Sequence, residues 1–204
     1  GGTIAHASYG SDIVLIDVGT DVSISNLAAV TMVPQSQFHC AGNWTSDATF
    51  APTAGTVRID GPVSAIVAIS LPSLTIASPA VATTLSPTAV AGSLNVEAGG
   101  HLTSLGIANI EGHVTLQDTW ELGGFTHFVA GNWNGGSAIN GTINFDGSGS
   151  LHTGSDSIAN VVVTAGTRTM VHSLASITGN FDLTGGTLSI STSGSTFSQS
   201  RLLI

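Results

Sequence analysis

Short apolar–polar–apolar runs recur along the chain: Val22-Ser23-Ile24, Leu74-Thr75-Ile76, Leu94-Asn95-Val96, Val114-Thr115-Leu116, Ile143-Asn144-Phe145, Phe181-Asp182-Leu183 and Leu188-Ser189-Ile190. In an extended strand successive side chains point to opposite faces, so each run offers two apolar residues to one side and a polar one to the other. The runs stop at Gly, Asn, Asp, Ser or Pro, residues that close turns. No stretch keeps apolar residues at i, i+3, i+4 and i+7 between capping signals, so helices are not expected. The pattern predicts an all-β chain of brief strands and tight turns.

Longer blocks also recur. Ala41-Gly42-Asn43-Trp44 returns as Ala130-Gly131-Asn132-Trp133, and the Gly55–Gly61 segment returns at Gly141–Gly147. Leu74-Thr75-Ile76 matches Val161-Val162-Val163, and Gly92–Val96 matches Gly179–Leu183. The four offsets are 89, 86, 87 and 87 residues, in the same order along the chain. We read two copies of a long unit, 38–126 and 127–204, with 1–37 as the end of a preceding unit or a cap. Together they form one continuous β-repeat array.

Two architectures satisfy brief strands with dense glycine breaks. One is a β-solenoid (parallel β-helix), whose coils of roughly 20–25 residues stack so that a unit of about 87 holds about four coils. The alternative is tandem β-sandwich domains, with Trp44 and Trp133 as one buried tryptophan per domain. The shortness of the strands favours the solenoid.

The phrases His39-Cys40-Ala41-Gly42-Asn43-Trp44 and His127-Phe128-Val129-Ala130-Gly131-Asn132-Trp133 carry a resemblance, with the later Asp-Gly turn, the Asn160–Val163 strand and the Gly179–Leu188 pair. Most of 38–190 resembles the degenerate repeats of large bacterial surface proteins of the filamentous-haemagglutinin and autotransporter-passenger kind. It is also similar to phage fibre and tailspike repeats. The resemblance implies a β-helical stalk, secretion, and an adhesive or scaffolding role. It carries over no catalytic residue.

Composition narrows the partners. Only 7% of the 204 residues are charged, there is no lysine, and the cations are Arg58, Arg168 and Arg201, against a net charge of -9. So few cations cannot neutralise many phosphates or an anionic lipid surface, which argues against nucleic acid and membrane binding. No apolar run reaches the length of a spanning helix. With 42% hydrophobic residues, a packed core is expected and disorder is not. The one cysteine, Cys40, reads as a small buried apolar residue, with pairing to another chain as the alternative. The chain opens on Gly1-Gly2-Thr3 and stops at Leu202-Leu203-Ile204, and both ends read as cut from a longer or processed protein.

Candidate chemistry is sparse. Asp60 and Asp146 stand at equivalent repeat positions before Gly, where an Asp-Gly turn explains them more simply than calcium or acid/base work. Trp44, Trp120 and Trp133 are candidate carbohydrate-contact aromatics or repeat-packing residues. The histidines His6, His39, His101, His113, His127, His152 and His172 never pair at i, i+2 or i, i+4, so a metal site would need several coils. Neither a nucleophile elbow nor a phosphate loop is present.

The expected function is therefore that of a non-enzymatic structural or adhesive segment of an extracellular or surface-exposed filament. Its partners would be copies of itself, adjoining segments of a longer surface protein and glycans, with no cofactor and no metal. The alternatives are a phage or virus structural protein on the virion and a carbohydrate-active β-helix enzyme.

Overall fold

The computed structural model describes residues 3–5, 15–25, 29–170, 175–190 and 197–203. Among them there is no helix, and the strands stack in parallel as a β-solenoid. A first wall holds ten strands, from Leu15–Val18 through Leu74–Ile76, Leu94–Val96, Val114–Leu116 and Trp133–Asn134 to Thr187–Ile190. Its register runs straight up the stack: Leu74, Leu94, Val114, Trp133 and Leu151 are partners, 20, 20, 19 and 18 residues apart. Each coil is therefore slightly shorter than the sequence pattern predicts.

A second wall rises through Val22–Ile24, Trp44–Ser46, Val63–Ala68, Val81–Thr84, His101–Ser104 and Thr119–Glu121. A third rises through Ser70–Leu71, Thr88–Val90, Ala108–Ile110 and Thr126–Val129. At Ser137–Phe145 the two walls fuse into one strand: 137–139 pair with Thr119–Glu121, and 142–145 with Thr126–Val129. Ser157–Val163, Ala175–Leu183 and Phe197–Leu203 continue both walls, with a register shift at the former corner. Parallel neighbours need a long crossover, commonly a helix. Here the other two walls are the crossover. The tandem sandwich fails on this point, because its sheets are antiparallel.

The matched blocks of the two sequence copies fall on different walls. Thr56–Ile59, Leu74–Ile76 and Leu94–Val96 are first-wall strands, whereas their matches at 142–145, 161–163 and 181–183 belong to the third. Trp44 stands on the second wall and Trp133 on the first. An offset of 87 residues thus corresponds to about four and two-thirds coils. The structure repeats the coil, and the three walls share one residue code.

The interior is mainly apolar and close-packed. Val57, Ile59, Leu74, Ile76, Leu94, Val96, Val114 and Leu116 of the first wall are buried against Ile66, Leu102, Leu71, Val90, Ile110 and Val129 of the others. Full burial of each such side chain contributes about 1.5–3 kcal/mol. Aromatic rings plug two levels. Trp44 packs edge-on to Phe38 and Phe50, at 5.8 and 5.3 Å between centroids. Trp120 stacks on Trp133 at 6.3 Å, and Phe145 meets Trp133 edge-on. Interior hydroxyls serve two of the three indoles: Trp44 Nε1 donates to Ser46 Oγ (3.1 Å) and Trp120 Nε1 to Ser104 Oγ (2.9 Å).

Arg168 is wholly buried in this interior. Its Nη2 donates to the carbonyls of Val129 (3.0 Å) and Ala130 (2.9 Å), and Nη1 to that of Gly131. The guanidinium lies 4.3 Å from the centre of the Phe145 ring. Burial pulls its pKa down to about 10, with Asp146 acting in the opposite direction. The side chain thus fastens the corner at 129–131 from two coils away, a task suited to the planar fork of arginine.

The corner between third and first walls is built from stacked glycines. Gly112 N–H donates to Gly92 O (2.9 Å), and Gly131 N–H to Gly112 O (3.0 Å). A Cβ on Gly112 would stand 2.5 Å from the Gly92 carbonyl oxygen, so the coils would have to part.

Two outcomes follow for stability in urea. Gly112→Ala is expected to cost about 1–3 kcal/mol through overpacking, while Gly19→Ala, with open space around it, should stay within about 0.5 kcal/mol. Arg168→Lys is expected to cost about 2–3 kcal/mol, because an ammonium cannot span the three carbonyls that the fork reaches.

Candidate functional site

The outward face of the first wall carries the polar residue of each triplet, and parallel register lines these residues up. Thr75, Asn95, Thr115, Asn134 and His152 form one file up the solenoid. The residues just before each strand core form a second file: Ser73, Ser93, His113, Asn132 and Ser150. That second file is hydrogen-bonded coil to coil. Ser93 N–H donates to Ser73 Oγ (3.1 Å), His113 N–H to Ser93 Oγ (3.2 Å), Asn132 N–H to His113 Nδ1 (3.0 Å) and Ser150 N–H to Asn132 Oδ1 (2.8 Å). Each side chain satisfies a backbone donor that the corner leaves outside the sheet ladder.

Where the two files pass over three coils they enclose an open cleft of about 370 Å³. Its lining is His113, Thr115, Asn132, Asn134, Ser150, His152 and Val114. The first-wall strand is cut here to Trp133–Asn134, and Gly135 and Gly136 turn away with φ of 72° and 61°. These glycines put no side chain beside Asn134. The file bonds also fix polarity. His113 Nδ1 accepts, so neutral His113 carries its proton on Nε2, and Asn132 turns its oxygen to the ladder and keeps its amide N–H₂ outward.

Two outward charged groups, Arg58 and Glu97, lie lower down beside the same wall and hold each other. Arg58 makes a two-pronged pair with Glu97, Nη1 to Oε1 at 2.5 Å and Nη2 to Oε2 at 2.8 Å. The hydrogen bond from Arg58 holds the Glu97 carboxyl below its usual range. His39 stands with Nδ1 3.3 Å from Asp60 Oδ2 and Nε2 3.0 Å from Gln37 Oε1. Asp60 is thus tied to a histidine on the first wall, while Asp146 is exposed beyond a third-wall strand. The structure does not bring the two acids together.

Trp44, Trp120 and Trp133 have no exposed surface. Each is a packing residue, and none turns a ring face to a sugar. Cys40 is buried among the carbonyls of Thr20, Gly42 and Asn43, and burial pushes its thiol up. His6 and His172 lie outside the described residues. Among the described residues no three His, Cys, Asp or Glu side chains are grouped to hold a metal ion. The lining of the cleft went unread in the sequence, although His113 and His152 were noted singly. A spacing of 18 to 20 residues between polar positions was the available signal.

Among the described residues, His127 is the buried histidine. Its Nδ1 accepts from Ala108 N–H (2.9 Å) and its Nε2–H donates to Leu122 O (3.0 Å). Trp120 packs 4.9 Å away. Desolvation lowers its pKa, opposed by the Leu122 carbonyl. The unfolded chain therefore binds a proton more readily than the folded one. Its contribution to stability is complete above the unfolded value of about 6.5 and is lost as pH falls through the folded value. Urea titrations between pH 8 and 5 should show wild type losing stability below pH 6.5, by up to about 1.4 kcal/mol per pH unit from this group. A His127→Gln chain should lack that part of the slope. Comparison with family models, with curated proteins and with solved structures finds no match.

Proposed function

We propose that the chain is a non-enzymatic structural and adhesive segment of an extracellular or cell-surface filament. The observation that carries this reading is the unbroken in-register first wall of ten strands. At strand spacing it gives a stack about 43 Å tall whose every level is locked to the next by backbone hydrogen bonds. Such a stack resists bending and spaces whatever lies at its two ends. Tension along the axis loads many parallel bonds, and Arg168 ties its own level to one two coils away.

An apolar strip supports self-assembly. Val67 on the second wall, and Leu85 and Leu105 just past the ends of its next two strands, stack at the same corner, 37%, 48% and 54% exposed. Ile69, Pro87 and Ile107 flank a shallow groove beside it. Contiguous apolar surface of this kind marks contact sites. The strip carries no charge, so two copies of a chain with net charge -9 would meet there with the least repulsion. The resemblance to filamentous surface proteins and autotransporter passengers points the same way.

Immunogold electron microscopy of the producing cells, with antibody raised to the purified chain, tests the reading. Label along fibres outside the cell is expected. Label confined to the cell interior overturns it, and label on virions transfers the role to a phage structure.

A further inference from the structure

We propose that the first-wall cleft binds an uncharged oligosaccharide. The lining is a grid of two files over three coils, His113, Asn132 and Ser150 beside Thr115, Asn134 and His152. At strand spacing the grid is about 10 Å long, and alternate residues along a strand add about 7 Å of width. Its volume of about 370 Å³ lies at the small end of ligand sites, which run from about 300 to 1,000 Å³.

Chemistry selects the ligand. Every polar lining side chain is a hydroxyl, a carboxamide or an imidazole. The file bonds turn the His113 Nε2–H and the Asn132 amide N–H₂ away from the protein backbone. Asn134 is exposed and adds both a donor and an acceptor, and the Thr115 and Ser150 hydroxyls add groups that do either. Closely spaced donors and acceptors without formal charge match vicinal sugar hydroxyls.

Acidic ligands fit poorly. The cleft has no arginine, Arg58 is engaged by Glu97, Arg168 is buried, and the whole chain carries a net charge of -9. A metal ion fits no better, because the two imidazoles sit at opposite corners of the grid and His113 Nδ1 is already accepting. The lining holds no Trp, Tyr or Phe, so hydrogen bonds must carry the affinity, and single sites will be weak. A filament that repeats the chain would multiply them. Binding at the cleft itself does not depend on where the protein resides.

The test uses the full chain and defined probes. Saturation-transfer NMR is run with neutral cello-, malto-, galacto- and chito-oligosaccharides, and with oligogalacturonates as the acidic comparison. At least one neutral series should show transfer and the acidic series none. Asn134→Ala and Thr115→Ala should weaken that binding tenfold or more, with far-UV spectra and urea midpoints unchanged. Thr75→Ala, on the same file outside the cleft, should bind as wild type. Absence of transfer from every neutral series, equal or stronger binding of the acidic one, or wild-type affinity in both cleft variants would each overturn the proposal.

Discussion

Everything in this molecule depends on equal spacing between coils. The backbone of each level finds its hydrogen-bond partners only in the levels above and below, so a coil that stands off at one corner leaves donors and acceptors unpaired on all three walls. The corner glycines are the physical expression of that constraint. Gly92, Gly112 and Gly131 stack peptide on peptide with no room for a Cβ. The same constraint explains the outer file: Ser73, Ser93, His113 and Asn132 supply the acceptors that the turning backbone lacks.

Equal spacing then dictates what fills the centre. A section enclosed by three brief strands holds few side chains, and their sizes must sum to the same volume at every level. Where one wall offers small residues, another compensates. Ala82 shares its coil with Leu74, Ile76 and Val90, and Ala108 its coil with Leu94, Val96 and Ile110, whereas Trp133 shares its coil with Ala138. Among the described residues Arg168 is the buried cation of this interior, and its fork does what the strand ladder cannot do at the 129–131 corner.

Much of the fold was legible because the code is local. Leu74-Thr75-Ile76 and its kin announce a strand with one dry face, and glycine-closed turns announce the corners. The coil length was harder to read. All three walls use the same triplets, so aligning sequence with sequence matched first-wall strands to third-wall strands, and Trp44 to Trp133 across two walls. The cleft was illegible for a related reason. His113, Asn132 and Ser150 are unremarkable until the coil length is known, and only register turns residues 18 or 19 apart into neighbours. The outward tryptophan platform allowed by the sequence gave way because the interior needed bulk more than the surface did.

Spin-label spacing up the first wall tests the stacking claim most directly. In a Cys40→Ser background, nitroxides are placed at outward positions as the pairs Thr75/Asn95, Thr75/Thr115 and Thr75/Asn134. In-register stacking puts their backbones about 5, 10 and 14 Å apart, so dipolar broadening should be strongest in the first pair and fall steadily through the third. Broadening that is absent from the first pair, or that fails to fall in this order, would contradict it.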